Sequence, residues 1–327
     1  MIEDRHRPLV QLLQDAFPLV PVPFAELGAR LGQPEAEVLA GVAALKDSGM
    51  LRQIGAIFDT RRLGYISTLV AAQVQPAALE AVAAAVSRHP GVSHNYSRDH
   101  VLNLWFTLAV PPGESLEGNV TSLLQQPGVE RYLLLPTVRT FKIRVSLDMG
   151  VDEAQEAAQE GQLSAAMPKL LPGKDKRLVR VLQEDLPLEG RPFRALAQAW
   201  GMTEEAILEA ARRFLREGVM RRYGATLRHQ AAGYVVNAMA CWQVPGGRLE
   251  AAGNAAAALR AVSHCYERRA FPEWPYALYT MIHARSEEDL SALLRQLAQE
   301  IRPVACVVLR TVHEYKKVRL RYFDQVP

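Results

Sequence analysis

At 327 residues, with 49% apolar and 22% charged side chains, the chain has the composition of a soluble globular protein and is long for one domain. A formal charge of +3 suits an anionic partner without choosing between nucleic acid and a small polyacid. Three cysteines (Cys241, Cys265, Cys306) without C-x-x-C spacing exclude a disulfide framework, and no run reaches the ~18 apolar residues that span a bilayer. Reduced thiols and the charged opening MIEDRHRPLV, which has no signal-peptide core, predict a cytoplasmic protein with no membrane partner.

In chain order, RPLVQLLQDAF places Leu9, Leu12, Leu13 and Phe17 close to a helical period. FAELGARLG and PEAEVLAGVAALKDSG follow, with Pro34 near a helix start and Gly49 at its end. Three short helices with tight turns predict a helix-turn-helix head, and LRQIGAIFD reads as its wing strand. Beyond Gly64 the text becomes strand-like: ISTLVAAQV, a helix over Ala77–Ser87, then strands VSHNYS and LNLWFTLAV. A helix over Leu116–Leu124 and a last strand over Val129–Val138 complete a ferredoxin-like βαββαβ order. Its helices cover one face of the sheet, so the other, carrying Tyr96 and Trp105, needs a partner surface.

The chain supplies that partner itself. LRQIGAIFDTRRLGYISTLVAAQV from Leu51 pairs with MRRYGATLRHQAAGYVVNAMACWQ from Met220, sharing Arg52/Arg221, Gly55/Gly224, Gly64/Gly233 and Tyr65/Tyr234. VSHNYSR from Val92 matches VSHCYER from Val262, and Thr137, Val138 and Lys142 match Thr311, Val312 and Lys316. The expected fold class is α+β: two tandem repeats, each a winged helix-turn-helix head plus a ferredoxin-like domain, forming an internal pseudo-dimer. The heads are expected over 1–63 and 174–232 and the sheet domains over 64–148 and 233–327. The polar, alanine-rich stretch and MPKLLPGK make 149–173 a linker. Further homo-oligomerisation stays open.

Each repeat resembles the Lrp/AsnC family, whose members are mainly DNA-binding regulators. Readers of that kind place cations at the start of the recognition helix. Here the helices open with Glu35 and Glu37, and with Glu204 and Glu205, which phosphates would repel. Arg212, Arg213 and Arg216 come late, within reach of Glu205 and Glu209. DNA binding is therefore not expected, and the heads read as retained scaffold.

The densest chemical text is HNYSRDHVLNLWFTL from His94 and HCYERRAFPEWPYALYTMIHAR from His264. Alternation along a strand puts His94, Tyr96 and Arg98 on one face, and His264, Tyr266 and Arg268 likewise. An aromatic to stack, an arginine to fork a carboxylate and a histidine to move a proton or bind a metal suit a flat polyanion.

HNY-x-R-x-H-x-x-NLWFTL, CY-x-R followed by P-x-WPY, RQIGAIFD, TRRLGY and PTVRTFKI resemble the siroheme decarboxylase family, with its two subunit types fused. Ala277 departs from that pattern where asparagine is expected after WPY. The resemblance implies siroheme as substrate, with carbon dioxide lost from two acetate side chains to give didecarboxysiroheme. That product leads to heme d1 or to heme. No cofactor beyond the substrate's own iron tetrapyrrole is expected, and no metal site of the protein's own.

On this reading His94 and His100 are the catalytic histidines, and His264 is an axial ligand or second acid. Tyr96, Arg98, Trp105, Arg139, Lys142 and Arg268 contact the substrate. Blander readings stand beside these. Trp105, Phe106 and Tyr279 read as sheet core ahead of ligand stackers, and Arg98 and Arg268 as surface partners of Asp99 and Glu267. Arg139 and Lys142 suit a solvated face, Arg52/Arg221 and Tyr65/Tyr234 structural positions, and His283 a satisfied core histidine. The rivals to an enzyme are a tetrapyrrole-responsive regulator and a tetrapyrrole carrier.

Overall fold

The computed structural model describes residues 7–143, 171–227 and 236–324. The first head comprises α1 (Arg7–Asp15), α2 (Pro23–Leu31), α3 (Glu35–Asp47) and β1 (Leu51–Phe58). Pro23 opens α2, and Gly32, at φ +67°, closes it in the left-handed conformation that glycine adopts without strain. The second head repeats this as α6 (Gly173–Leu182), α7 (Pro192–Ala199), α8 (Glu204–Arg216) and β7 (Met220–Leu227).

β1 is not the wing of its own head. It pairs antiparallel with β7 of the other copy, with Gly55 opposite Gly224. A Cβ on Gly55 would lie 2.8 Å from the Glu184 carbonyl oxygen, and one on Gly224 2.5 Å from that of Leu13. The ribbon thus lies directly on the ends of α6 and α1, which only glycine permits. Phe24, Leu45 and Ile54 of one head share a single core with Phe193, Phe214 and Tyr223 of the other.

The sheet domains comprise β2 (Ile66–Val74), α4 (Leu79–Arg88), β3 (Val92–Arg98), β4 (Leu104–Val110), α5 (Leu116–Leu124), β5 (Val129–Leu135) and β6 (Thr137–Ile143). Their counterparts are β8 (Val236–Gln243), α9 (Leu249–Ala258), β9 (Val262–Arg268), β10 (Leu278–Ala284), α10 (Glu287–Ile301) and β11 (Ala305–Lys317). All nine strands form one sheet, in the order β5-β2-β4-β3-β11-β8-β10-β9-β6.

That order records an exchange between copies. β11 pairs with β8 of its own copy over Ala305–Arg310, then with β3 of the first copy over Thr311–Lys317. The single strand expected over Val129–Val138 is likewise two: β5 pairs with β2, and β6 crosses to β9. Pro136, lacking an N–H, breaks the ladder where the partner changes. The helices cover one face of each half. The bare faces meet over Trp105, Leu133, Leu135, Cys241, Trp274 and Tyr279, as the pseudo-dimer requires.

After β11 the chain returns to the heads. The Tyr322 and Thr60 hydroxyls lie 2.6 Å apart, and the Phe323 N–H donates to the Tyr65 hydroxyl at 2.7 Å. Gln183 brackets Tyr322, accepting from its N–H at 2.8 Å and donating to its carbonyl at 3.1 Å. Tyr234, most of the expected linker and the other segments between the described residues lie outside this account. No helix among the described residues is long and apolar enough to cross a membrane.

Three recognition-helix side chains of the second head, Glu204, Arg212 and Arg213, are engaged within the protein. Glu204 is buried and ion-paired with Arg191. Arg213 forks Asp175 at 2.6 and 3.1 Å, and Arg212 donates to the Leu19 carbonyl at 2.7 Å. The expected helical pairing of these arginines with Glu205 and Glu209 gives way to bonds to other helices and loops.

Candidate active site

On β3 the Asn95 amide donates to the Ala83 carbonyl at 2.9 Å and to Ser87 Oγ at 3.0 Å, so Asn95 faces the helices. Alternation turns His94, Tyr96 and Arg98 to the opposite face, towards the second copy. Both arginines of the repeated motif are nonetheless committed to the fold. Arg98 donates to the Leu309 carbonyl at 3.2 Å and Thr311 Oγ1 at 2.8 Å; Arg268 donates to the Leu135 carbonyl at 2.7 Å and Thr137 Oγ1 at 3.0 Å. Each clasps the crossing strand of the other copy at the point where it changes partner. Each guanidinium also lies over a tyrosine, Tyr96 at 5.2 Å and Tyr266 at 5.1 Å. Neither makes the surface ion pair that was the bland alternative.

Three further expected contacts are placed elsewhere. Trp105 is 1% exposed, donates to the Leu102 carbonyl at 2.6 Å and packs on Trp274, which makes it core. Lys142 donates to the Leu259 carbonyl at 2.8 Å, at the end of α9, as Lys316 donates to the Ser87 carbonyl at 2.7 Å, in the last turn of α4. Cations at helix C-termini satisfy carbonyls that the helix leaves open. Arg139 pairs with Glu250 at 3.0 Å and Glu267 at 3.5 Å.

The three expected catalytic histidines are not gathered into one cluster. His100 lies past the far end of β3 from His94, its ring edge-on to Trp274 at 5.4 Å and its Nδ1 accepting from the Leu102 N–H at 3.0 Å. His264 Nδ1 lies 2.8 Å from Ser263 Oγ, which also lies 2.7 Å from His283 Nε2. His283 Nδ1 in turn bonds Asn237. That chain satisfies His283, as the structural alternative held. Cys265, beside His264, is buried against the Gly253 carbonyl.

His94 has the most chemically suggestive setting. Its Nδ1 lies 2.9 Å from Ser93 Oγ, its ring centre is 6.2 Å from that of Tyr96, and Lys317 stands opposite it in the β11 register. Burial lowers its pKa from 6.5 to about 4, and the positive charges of Lys317 and Arg52 add to the effect. The imidazole is therefore neutral at pH 7, not poised near its ordinary value as the residue type alone suggests.

On the same side of the molecule, a recess of about 180 Å³ is lined by Arg52, Gln53, Gln183 and tail residues 318–321. Arg321 is neutralised there by Glu184 and Asp324. Arg319 is not: its Nη1 is buried without an acceptor among the described residues. Burial lowers its pKa, with the like charges of Arg222 and Arg52 acting in the same direction. Arg52 is exposed and has no ion pair among the described residues, and Lys317 has Glu314 at a loose 3.8 Å. Positive charge gathered beside a neutral imidazole, and largely uncompensated, calls for a ligand bearing carboxylates. Sequence reasoning set a structural role for Arg52 level with a functional one and passed over Lys317 and Arg319. Only the return of the tail to the heads brings Arg319 to Arg52, and nothing local in the sequence announces that return.

Comparison with known proteins bears on what that ligand is. A model described as "AsnC-like ligand binding domain" matches residues 62–142 and 231–316, and one described as "Siroheme decarboxylase NirDL-like HTH domain" matches 6–52 and 175–221. A siroheme decarboxylase of Hydrogenobacter thermophilus is 39% identical over 318 residues, covering 97% of this chain and 94% of that protein. A siroheme decarboxylase alpha subunit of Desulfovibrio desulfuricans is 43% identical over 151 residues, covering 46% of this chain and 87% of that subunit. A crystal structure of siroheme decarboxylase NirDL in co-complex with an iron-uroporphyrin III analogue superposes with a TM-score of 0.80 at 33% identity, covering 98% of this chain and 95% of that one. Identity on this scale along nearly the whole length, with both repeats and the shared architecture, places this chain in the siroheme decarboxylase family.

Proposed function

We propose that this protein is a carbon–carbon lyase that removes carbon dioxide from two acetate side chains of siroheme, giving didecarboxysiroheme. The observation that carries the reading is the recess lined by Arg52 and Arg319, with Lys317 next to it in the chain and opposite the half-buried His94. Siroheme brings many carboxylates on one rigid disc, and Arg52 and Arg319 have no ion pair among the described residues. In each step the bond between the acetate methylene and its carboxylate breaks and carbon dioxide leaves. The electron pair left on the methylene takes one proton, for which His94 is the donor. Burial is the main cause of the lowered His94 pKa; incoming carboxylates offset the lesser causes, Lys317 and Arg52, and so shift His94 in the direction of the protonated form.

The macrocycle holds the transient charge, so on this reading the reaction needs no cofactor beyond the substrate's own iron tetrapyrrole. We place the reaction in the cytoplasm, where the free thiols of Cys241, Cys265 and Cys306 stay reduced. The heads serve as scaffold, since Arg212 and Arg213 are spent inside the protein. Anaerobic incubation with siroheme, followed by mass spectrometry of the tetrapyrrole, tests the assignment. Loss of two carbon dioxide units is expected, with no retardation of duplex DNA by the same preparation. Bound siroheme of unchanged mass would sink the enzymatic reading and leave a carrier.

A further inference from the structure

The recess and the imidazole are neighbours, not one spot. Lys317 stands opposite His94 in the β11 register, and the next residue, Val318, donates its N–H to the Ser93 carbonyl at 2.8 Å. Arg319 lies two residues past Lys317, so at most roughly 7 Å further along the chain. There the tail meets the heads, and Arg52 and Gln53 on β1 and Gln183 after α6 complete the recess. The charges acting on His94 are those of Lys317 and Arg52, whereas Arg319 is acted on by Arg222 and Arg52. Arg52 thus stands between the imidazole and Arg319. Gln53 donates to the Gln183 carbonyl at 3.4 Å, the Gln183 amide is engaged by Tyr322, and Arg321 is neutralised. What the recess offers a ligand is the pair of guanidiniums of Arg52 and Arg319.

A carboxylate paired with those guanidiniums is the wrong one to lose. As carbon dioxide departs, the charge passes to the methylene carbon, and an ion pair held to the carboxylate is given up. Such a pair stabilises the bound substrate more than the transition state and slows the step. A carboxylate that stays keeps its ion pair at every stage. Siroheme offers both kinds side by side, because each pyrrole-derived ring carries an acetate and a propionate on adjacent carbons. The propionate, longer by one methylene, reaches roughly 1.5 Å further from the disc. We propose that the recess holds a propionate that survives the reaction, so that Arg319 and Arg52 set which acetate is presented to His94. The inference rests on the functional reading above and names the arm of the substrate that these two arginines recognise. The chemical step is unchanged: the acetate carbon–carbon bond breaks, carbon dioxide leaves and one proton goes to the methylene. Held throughout, the propionate keeps a negative charge beside Arg52 after the acetate's has gone.

Two probes separate the arms. Iron-uroporphyrin III carries acetates and propionates, whereas iron-coproporphyrin III keeps the propionates and has methyl groups in place of the acetates. Arg319→Met and, at an exposed position, Arg52→Gln should each weaken the full chain's binding of both probes by one common factor, roughly tenfold. With siroheme the loss should fall on KM more than on kcat. Variants that bind iron-coproporphyrin like the wild type but lose iron-uroporphyrin would overturn the proposal, because the recess would then hold an acetate. Unchanged affinity for both probes would overturn it as well, as would a fall in kcat at constant KM. Siroheme of unchanged mass with the wild type would end the functional reading, and the two titrations would still decide which arm the recess holds.

Discussion

His94 is held in a form that the unfolded chain does not favour, and that has a measurable cost in acid. Its pKa falls from 6.5 to about 4 on folding, through burial first and then Lys317 and Arg52. Between those values the unfolded chain binds the proton that the folded protein refuses. The contribution of this group to stability is therefore complete above pH 6.5 and is lost as the pH falls through about 4. The stake is up to about 3 kcal/mol at 1.36 kcal/mol per pKa unit. His94→Gln, which cannot titrate, should flatten the dependence of the denaturant midpoint on pH across that window. If wild type and variant fall in parallel between pH 7 and 4, the depressed pKa is not real. Arg98 and Arg268 show the opposite economy, since charge that suits a ligand is spent on holding a crossing strand.

At the scale of the element, β11 and the tail beyond it do several jobs with one stretch of chain. The strand closes its own sheet, enters the other, presents Lys317 opposite His94, and leads into the tail that carries Arg319 and Arg321. Tyr322 pins the end of that tail, with its ring edge-on to Tyr65 at 5.1 Å and to Phe58 at 6.1 Å. Tyr322→Ala should cost about 3–5 kcal/mol, the range for deleting a buried aromatic. It should also weaken siroheme binding, because the tail no longer fixes Arg319 beside Arg52. Tyr322→Phe, which gives up only the contact with Thr60, should cost about 1 kcal/mol and spare binding. Equal losses of binding in the two variants, read by tetrapyrrole titration, would detach the tail from the recess. The counterpart in the first copy is broken at Pro136, where the second copy has Arg310, so only β11 runs unbroken through the exchange.

Across the whole molecule, what the sequence made legible was whatever recurs locally. Leu116–Leu124 forms a helix as its period predicts, the βαββαβ order holds in both copies, and the bare sheet faces meet. Partner choice was not legible. β1 carries the text of a wing and pairs with β7, and Val129–Val138 carries the text of one strand and divides between two neighbours, because pairing across copies leaves no mark on either sequence. The site suffered for the same reason. His94 could be found from its motif, whereas Arg319 joins it only through a tail that returns to the heads after β11. Arg98, Arg268, Lys142 and Arg139 were expected as ligand contacts, and their bonds within the protein were not legible, because a cation on a strand reads alike whether it faces a carboxylate or a neighbour's carbonyl. The exchanged strands also bear on how the chain holds together once cut. Each half lends the other a strand and half of a shared core, so continuity of the backbone serves mainly to keep the effective concentration of one half near the other high. A protease site inserted within residues 149–170 should, after cleavage, yield two fragments that co-elute as one species and separate only in denaturant. Fragments that part in native buffer would mean that the tether, and not the interleaved strands, makes this molecule one body.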